Sequence, residues 1–305
     1  MKRNILIFSL VLTVMCGFAL HFLHGNFNIF GAQRAVQPRI PKALVLEDYQ
    51  TPEDARLMQW LCRIEQSRAG RQLDADFVKS LIDDANTQKL AIRAIEATPT
   101  QFPALDQTVR ICARILHMPK PRAFVCQSTA LPISTENYAD PVIVVEASVL
   151  QRFQDPAELR FLVARELAHI AAHHARWASL LRETQSIAEH NGLVGKAAES
   201  ALKMSLSKCV CESQITADRG GLIASQDVRA SERALVKLAT GFDDVGMAAV
   251  NIDEYLAQSA TGQSMALASP RVVLNAPATE EDSIPERIQR LREYVKSSGY
   301  AAIWK

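Results

Sequence analysis

Residues 155–174 read DPAELRFLVARELAHIAAHH, and this stretch decides the fold. Its beginning carries helix-start signals, since Asp155 can accept hydrogen bonds from the free amides of a first turn and Pro156 suits the first helical position. Glu158 completes the spacing of a capping box. The residues that follow are apolar nearly all the way round a helix, which in a globular protein indicates burial on most sides. The sequence therefore predicts a buried central helix from Asp155 to about Ser179.

The few polar residues of this helix follow a spacing that carries chemistry. Arg165, His169 and His173 recur every four residues and so lie in one row, and Glu166 stands three residues before His169. In zinc-peptidase helices of the HExxH type, two histidines four residues apart hold the metal and the glutamate activates a water molecule. Glu166 and His169 match that pattern, whereas Arg165 occupies the position of the first histidine. The segment by itself also fits a core helix in which Glu166 and Arg165 pair with neighbouring elements.

Length and composition describe an ordinary globular protein. The chain has 305 residues, of which 48% are hydrophobic and 22% charged, and its formal net charge is +1. This length accommodates one large or two modest domains. Lysine and arginine are spread along the chain, so the sequence carries no electrostatic footprint for nucleic acid. We therefore expect no nucleic-acid partner.

The N-terminus carries a candidate membrane segment. Lys2 and Arg3 precede an apolar run, Ile5–Leu23, that is about long enough to cross a bilayer as one helix. Gly17 and Ala19 could serve as the small residues before a signal-peptidase cut, and a run of this length can equally remain as a single span. We favour the retained anchor, with a cytoplasmic N-terminus and a domain exported to the periplasmic or extracellular side.

Beyond this segment the chain divides into regions of different pattern. Residues 1–25 form the anchor or signal, 26–50 a linker, 51–103 an N-terminal helical segment and 104–305 the main domain. Helical spacing and start signals predict helices at 51–69, 74–82, 88–97, 104–116, 175–187, 194–206 and 231–238, and a last helix from Ile284. Short β-rich runs at 123–126 and 142–145 predict two adjacent strands separated by a polar loop, and residues 258–282 are a second predicted loop. The expected fold class is α+β, mostly helical with a small sheet.

The order of these elements and three of their sequences resemble a known family. Residues 142–150, VIVVEASVL, precede the central helix at 155–174, and residues 217–222, ADRGGL, follow it. Together with a last helix that begins IPERI, they resemble the HtpX-like and CAAX-prenyl-protease-like zinc metallopeptidases over roughly residues 95–296. The resemblance implies a zincin-like metallopeptidase domain with a polypeptide substrate and a zinc cofactor.

The resemblance also implies a role for each site residue. In that family the third zinc ligand is a glutamate four residues before the aspartate of the Ala-Asp segment. The corresponding residues here are Gln214 and Asp218, the latter with a supporting role beside the ligands. Two of the three ligand positions, Arg165 and Gln214, thus depart from the family's pattern. His169 retains its ligand position, and Glu166 retains the catalytic one.

These departures change the expected chemistry. Arginine cannot bind a metal, because its guanidinium group stays protonated and offers only donors. We therefore hypothesise that Arg165 takes the place of the metal's charge and hydrogen-bonds Gln214, Asp218 or Glu166. The expected consequence is that the chain needs no metal cofactor and cannot hydrolyse peptides by the family's mechanism.

Alternatives remain open from the sequence. Glu166, His169 and His173 are spaced so that a shifted zinc ion could bind, with Cys211 as a further ligand. The preferred function is a membrane-anchored pseudopeptidase that binds polypeptides or an envelope partner through the former substrate cleft. The second is an active metalloendopeptidase with an altered zinc site, in which Glu166 is catalytic. The third is a helical adaptor unrelated to peptidases.

Overall fold

A computed structural model describes residues 37–66, 89–127, 131–136, 140–174, 196–267 and 284–305. Its helices are α1 Pro52–Gln66, α2 Pro103–Ile115, α3 Ala147–Arg152, α4 Pro156–Ala171, α5 Lys196–Ser225, α6 Val228–Thr240, α7 Asp244–Met247, α8 Ile252–Leu267, α9 Ile284–Val295 and α10 Ser298–Ile303. Its strands are β1 Ile95–Glu96, β2 Arg122–Cys126, β3 Ile133–Glu136 and β4 Val142–Glu146. The described part of the chain is mostly helical with a small mixed sheet, as the sequence predicts.

Helix α4 is the predicted central helix, but it ends at Ala171 and not at the expected Ser179, because the backbone turns at His173. Asp155 caps it by accepting a hydrogen bond from the amide two residues further on, at 2.8 Å. Glu158 does not form the predicted capping box, because its carboxylate oxygens accept instead from Arg233 at 2.8 Å and from Lys237 at 2.6 Å. Lys237 is fully buried. An unpaired ammonium there would be strongly unfavourable, so the long-range ion pair prevails over the local cap.

The sheet has the order β1–β2–β4–β3. β2 and β4 are parallel neighbours, with Phe124 opposite Val144, which confirms the two adjacent strands predicted from their β-rich sequences. β1 pairs antiparallel with β2, and β3 pairs antiparallel with β4. The prediction of a polar loop between β2 and β4 is incomplete, because this region contains β3. The sequence of β3, ISTE, carries no clear strand pattern, and its pairing with β4 defines the strand.

Strand β3 lies at the edge of the sheet and presents backbone groups outward. The Pro132 carbonyl accepts from the Glu146 amide of β4 at 2.9 Å. This bond shows which residues of β3 direct their backbone groups toward β4. Backbone groups of successive residues in an antiparallel strand point alternately toward and away from the partner. The amides and carbonyls of Ile133 and Thr135 therefore point away from β4, and in the described part of the chain they have no backbone partner.

A pair of glycines brings α5 close against α4. A Cβ atom at Gly220 would lie 2.7 Å from the Ala168 Cβ atom. A Cβ atom at Gly221 would lie 2.8 Å from the Arg165 Cγ atom and 2.8 Å from the Phe161 carbonyl oxygen. Such distances are too short for real side chains, so this contact requires glycine. The ADRGGL segment thus places α5 directly beside α4 at the level of Arg165.

Several element boundaries differ from the prediction. α5 is one helix, and it extends well beyond the predicted end at residue 206. α8 runs to Leu267, so the first part of the predicted loop at 258–282 is helical. In its described part, the predicted helix at 88–97 is helical at 89–93 and then gives way to β1, because pairing with β2 overrides local propensity. The predicted helices at 74–82 and 175–187 lie outside the described residues.

The candidate anchor at Ile5–Leu23 also lies outside the described residues. Of the helices that the structure describes, none is both long and apolar enough to cross a bilayer. Residues 37–305 form one compact unit. Within it the start of α1 joins α5, since the Thr51 amide donates to the Thr216 hydroxyl at 3.1 Å and the Thr51 hydroxyl donates to Glu212 at 2.9 Å.

Candidate functional site

Arg165 is held inside the fold by two residues of α5. Its side chain is only 3% exposed. The Arg165 Nε group donates to Asp218 Oδ1 at 2.6 Å, and a terminal nitrogen of the same guanidinium donates to Gln214 Oε1. Gln214 and Asp218 lie one turn apart on α5, so both side chains reach α4 from the same side. The structure thus contains two of the contacts that the sequence analysis predicts for Arg165.

Asp218 is shared between two buried guanidinium groups. Arg287 of α9 donates from Nε to Asp218 Oδ2 at 2.7 Å and from a terminal nitrogen to Asp218 Oδ1 at 2.8 Å. Asp218 and Arg287 are each only 1% exposed. Asp218 therefore connects α4, α5 and α9 through charge-assisted hydrogen bonds.

Glu166 faces the edge strand of the sheet. The Thr135 hydroxyl of β3 lies 3.0 Å from Glu166 Oε2 and 3.3 Å from the Glu166 carbonyl oxygen. Glu166 is 6% exposed. Because the hydroxyl is a donor to the carboxylate, it fixes the orientation of the Glu166 side chain toward β3. The residue in the catalytic-glutamate position therefore lies between α4 and the sheet edge.

His169 belongs to a chain of hydrogen bonds that crosses the site. His169 Nδ1 lies 2.9 Å from His174 Nδ1, and His174 Nε2 lies 3.1 Å from both carboxylate oxygens of Asp54 on α1. The Asp54 carboxylate can only accept, so His174 Nε2 carries a proton and donates to it. Gln214, whose oxygen accepts from Arg165, is also a hydrogen-bond partner of His169. These hydrogen bonds thus connect Arg165 with Asp54 through Gln214, His169 and His174.

The surroundings of His169 keep its imidazole neutral. Burial, the neighbouring His174 and the positive charges of Arg165 and Arg287 lower the pKa of His169 well below its ordinary value. The hydrogen bond with Gln214 opposes this shift only in part.

His173 leaves the row formed by Arg165 and His169. Helix α4 ends at Ala171, and His173 has a left-handed backbone conformation with φ of 57°. This turn brings His174 rather than His173 back to His169, and the His173 side chain is exposed. Among the residues that the structure describes, no three His, Cys, Asp or Glu side chains are grouped so that they could hold a metal. The shifted zinc site expected as an alternative is not formed in this part of the chain.

Cys211, the further ligand suggested for that shifted site, lies on α5 and is half-buried. Burial and the nearby carboxylates of Glu286 and Glu212 raise the pKa of its thiol. Metal binding requires the thiolate, so this environment disfavours Cys211 as a ligand.

Comparison with known proteins identifies the family. The model of peptidase family M48 matches residues 99–295, which is more than half of the chain. The chain belongs to peptidase family M48. The family resemblance drawn from residues 142–150, 155–174 and 217–222 is thus confirmed. The Arabidopsis thaliana protein "Plastoglobule-localized metallopeptidase 48, chloroplastic" is 27% identical over 271 residues, which cover 85% of this chain and 75% of the relative. No solved structure gives a significant match.

Zinc is the cofactor that the M48 family implies, and the described residues of this chain do not fit it. The first ligand position holds Arg165, whose permanent charge repels a cation. The third position holds Gln214, a neutral amide already bonded to Arg165. The retained His169 directs its ring nitrogens to His174 and Gln214. A zinc ion would first have to displace the buried pair of Arg165 and Asp218.

Sequence reasoning identifies the M48 positions but misses four of their partners: Thr135, Asp54, His174 and Arg287. Arg287 belongs to the IPERI sequence, so its position is marked by the family resemblance although its role is not. Thr135 and Asp54 stand 31 and 120 residues from the side chains that they contact. Pairs so distant along the chain leave no local pattern.

Proposed function

We propose that this M48 chain is a pseudopeptidase, which binds polypeptide segments without hydrolysing them. The observation that carries the proposal is the buried contact of Arg165 with Asp218. A guanidinium group fixed at a metal-ligand position supplies positive charge there, but it has no capacity to act as a Lewis acid on water. Glu166 then has no activated water from which to take a proton. Its remaining role is to accept from Thr135 and so to connect α4 with β3.

The edge of β3 supports the binding part of the proposal. Ile133 and Thr135 present amides and carbonyls outward, and an extended polypeptide can bond to such groups as an added strand. Thr135 also contacts Glu166, so a polypeptide at this edge would lie beside the former catalytic position. The pseudopeptidase would thus keep the place of substrate binding and lack the chemistry.

We also propose that the chain is anchored in a membrane by Ile5–Leu23, with its domain on the periplasmic or extracellular side and a membrane or envelope protein as its partner. Support comes from the length and apolarity of this segment and from Lys2 and Arg3 before it. Washing of isolated membranes at high pH tests the anchor. Release of the protein into the supernatant would contradict it.

Metal analysis of the purified protein tests the central claim. After dialysis with zinc and removal of free metal, elemental mass spectrometry should find far less than one zinc per chain. The same preparation should leave casein uncleaved. One zinc per chain would overturn the role given to Arg165.

The alternative is an active metalloendopeptidase with an altered metal site. The retained Glu166 and His169 support this alternative. Chelator-sensitive cleavage of casein that disappears in Glu166→Gln would establish it. Peptide binding that persists in Glu166→Gln, without cleavage by either protein, would support the pseudopeptidase.

A further inference from the structure

Glu136 is a half-buried carboxylate on the edge strand β3, and within the described part of the chain it has neither a hydrogen-bond donor nor a cation beside it. It stands opposite Val142 in the β3–β4 ladder. Its side chain therefore shares a sheet face with Val142 and Val144, which pack with Phe124 in an apolar cluster. Burial against this surface raises the pKa of Glu136. A carboxylate in such a place is stabilised when a cation joins it.

The other carboxylates of the sheet are paired, which sets Glu136 apart. Glu96 of β1 accepts two hydrogen bonds from Arg122, both at 2.9 Å. Glu146 of β4 accepts from the Ser148 hydroxyl at 2.7 Å. Glu136 alone among the carboxylates of these strands has no such partner in the described residues. It is also the one on β3, whose outer edge has no paired strand among the described residues.

The geometry of an added strand brings a ligand side chain to this carboxylate. A segment that bonds to the outward amides and carbonyls of Ile133 and Thr135 would place one residue directly across from Glu136. Side chains of residues that face each other in this way lie on the same sheet face, with Cβ atoms about 5 Å apart. A lysine or arginine there could reach the Glu136 carboxylate, because its long side chain would extend along the sheet face beside it.

We infer that the β3 edge selects extended polypeptide segments that carry a lysine or arginine opposite Glu136. The inference rests on the proposed function, because it requires that β3 accept a polypeptide. It adds a specificity determinant to that function. Glu136 would act as a recognition residue, distinct from the cluster of Arg165, Asp218 and Arg287.

A pair of peptides tests the inference with the full-length protein in detergent. Both are short labelled strands of alternating threonine and valine, and they differ only at the central residue, which is lysine in one and the uncharged norleucine in the other. Fluorescence anisotropy at low salt should show about fivefold tighter binding of the lysine peptide, which corresponds to a favourable cross-strand charge pair. High salt should reduce this preference.

Variants of Glu136 identify the source of the preference. Glu136→Gln should bind both peptides equally, with unchanged affinity for the norleucine peptide. Glu146→Gln is the matched control on the neighbouring strand and should keep the lysine preference. Glu136→Lys should reverse the selection, so that a peptide with central glutamate binds more tightly than the lysine peptide.

The outcomes separate the inference from the proposed function. Equal binding of the two peptides by the wild-type protein would overturn the inference and leave polypeptide binding intact. A lysine preference that survives in both Glu136 variants would also overturn it. If neither peptide binds the wild-type protein, polypeptide binding at β3 fails, and the inference fails with it.

Discussion

Arg165 Nε lies 2.6 Å from Asp218 Oδ1, and both side chains are almost completely buried. The same carboxylate also holds Arg287 of α9. A buried carboxylate with two guanidinium partners connects three helices at the level where M48 enzymes are expected to hold zinc. The positive charge that a metal would supply at this level comes instead from the protein itself.

The first prediction concerns the stability that this cluster provides. Arg165→Met removes one partner of Asp218 but leaves Arg287, so the free energy of unfolding should fall by about 3 kcal/mol. Asp218→Asn should cost more, because it leaves two buried guanidinium groups without a carboxylate. Urea unfolding followed by circular dichroism measures both effects. Arg56→Ala is the control, since Arg56 pairs with Glu53 at the surface and should change stability little.

The second prediction concerns the metal. Replacement of the two departing residues together, as Arg165→His with Gln214→Glu, removes the positive charge and restores three ligand types with His169. Elemental mass spectrometry should then find about one zinc per chain, and zinc should raise the melting temperature of the double variant but not that of the wild type. Arg165→His alone is the intermediate control and should bind zinc more weakly. An absence of zinc in the double variant would show that these two positions do not decide metal binding.

The third prediction concerns pH and Asp54. Burial by itself raises the pKa of Asp54, but hydrogen bonds with His174, Gln50 and Thr216 and the charge of His174 lower it below its ordinary value. A carboxylate with a lowered pKa stabilises the fold above its unfolded pKa of about 3.9 and loses that contribution as pH falls through the folded pKa. Asp54→Asn should therefore be less stable than wild type by about 1–2 kcal/mol at neutral pH. The difference should shrink below about pH 4, and an equal difference across a pH series of melting curves would contradict this.

The fourth prediction concerns the contact between α4 and α5. Gly221→Ala would place a Cβ atom 2.8 Å from the Arg165 Cγ atom and from the Phe161 carbonyl oxygen, so the helices must move apart. We expect a net loss of about 2 kcal/mol, because overpacking outweighs the gain in helix propensity. Gly299→Ala is the matched control in α10, where the nearest atom to the new Cβ would be 3.7 Å away. Its melting temperature should stay the same or rise slightly.

The elements that the sequence predicts well are those with strong local patterns. Helix α4 has a capping aspartate and a continuous apolar surface, and β4 is a run of branched apolar residues, so both are readable without tertiary information. β3 is not, because its sequence ISTE becomes a strand only through its ladder with β4. The capping box expected of Glu158 fails for the same reason. The buried ammonium of Lys237, 79 residues away, competes successfully for that carboxylate.

In the candidate site too, local sequence patterns are predictable and long-range contacts are not. The spacing of Arg165, Glu166 and His169 on one helix and of Gln214 and Asp218 on another is a property of the sequence, and the chemistry of arginine follows from its residue type. The sequence does not predict the backbone turn at His173, which places His174 beside His169. It also does not indicate that Asp218 has a second guanidinium partner. Such contacts depend on how helices are placed relative to one another.

The outer edge of β3, which pairs with no strand in the described part of the chain, also bears on how this protein behaves at high concentration. A strand with outward amides and carbonyls offers the same pairing surface to a second copy of itself as to any other extended chain. Two molecules joined antiparallel through β3 would merge their sheets, and a peptide could not occupy that edge at the same time. Self-association and ligand capture therefore compete, so the apparent affinity for a peptide should fall as the protein concentration rises.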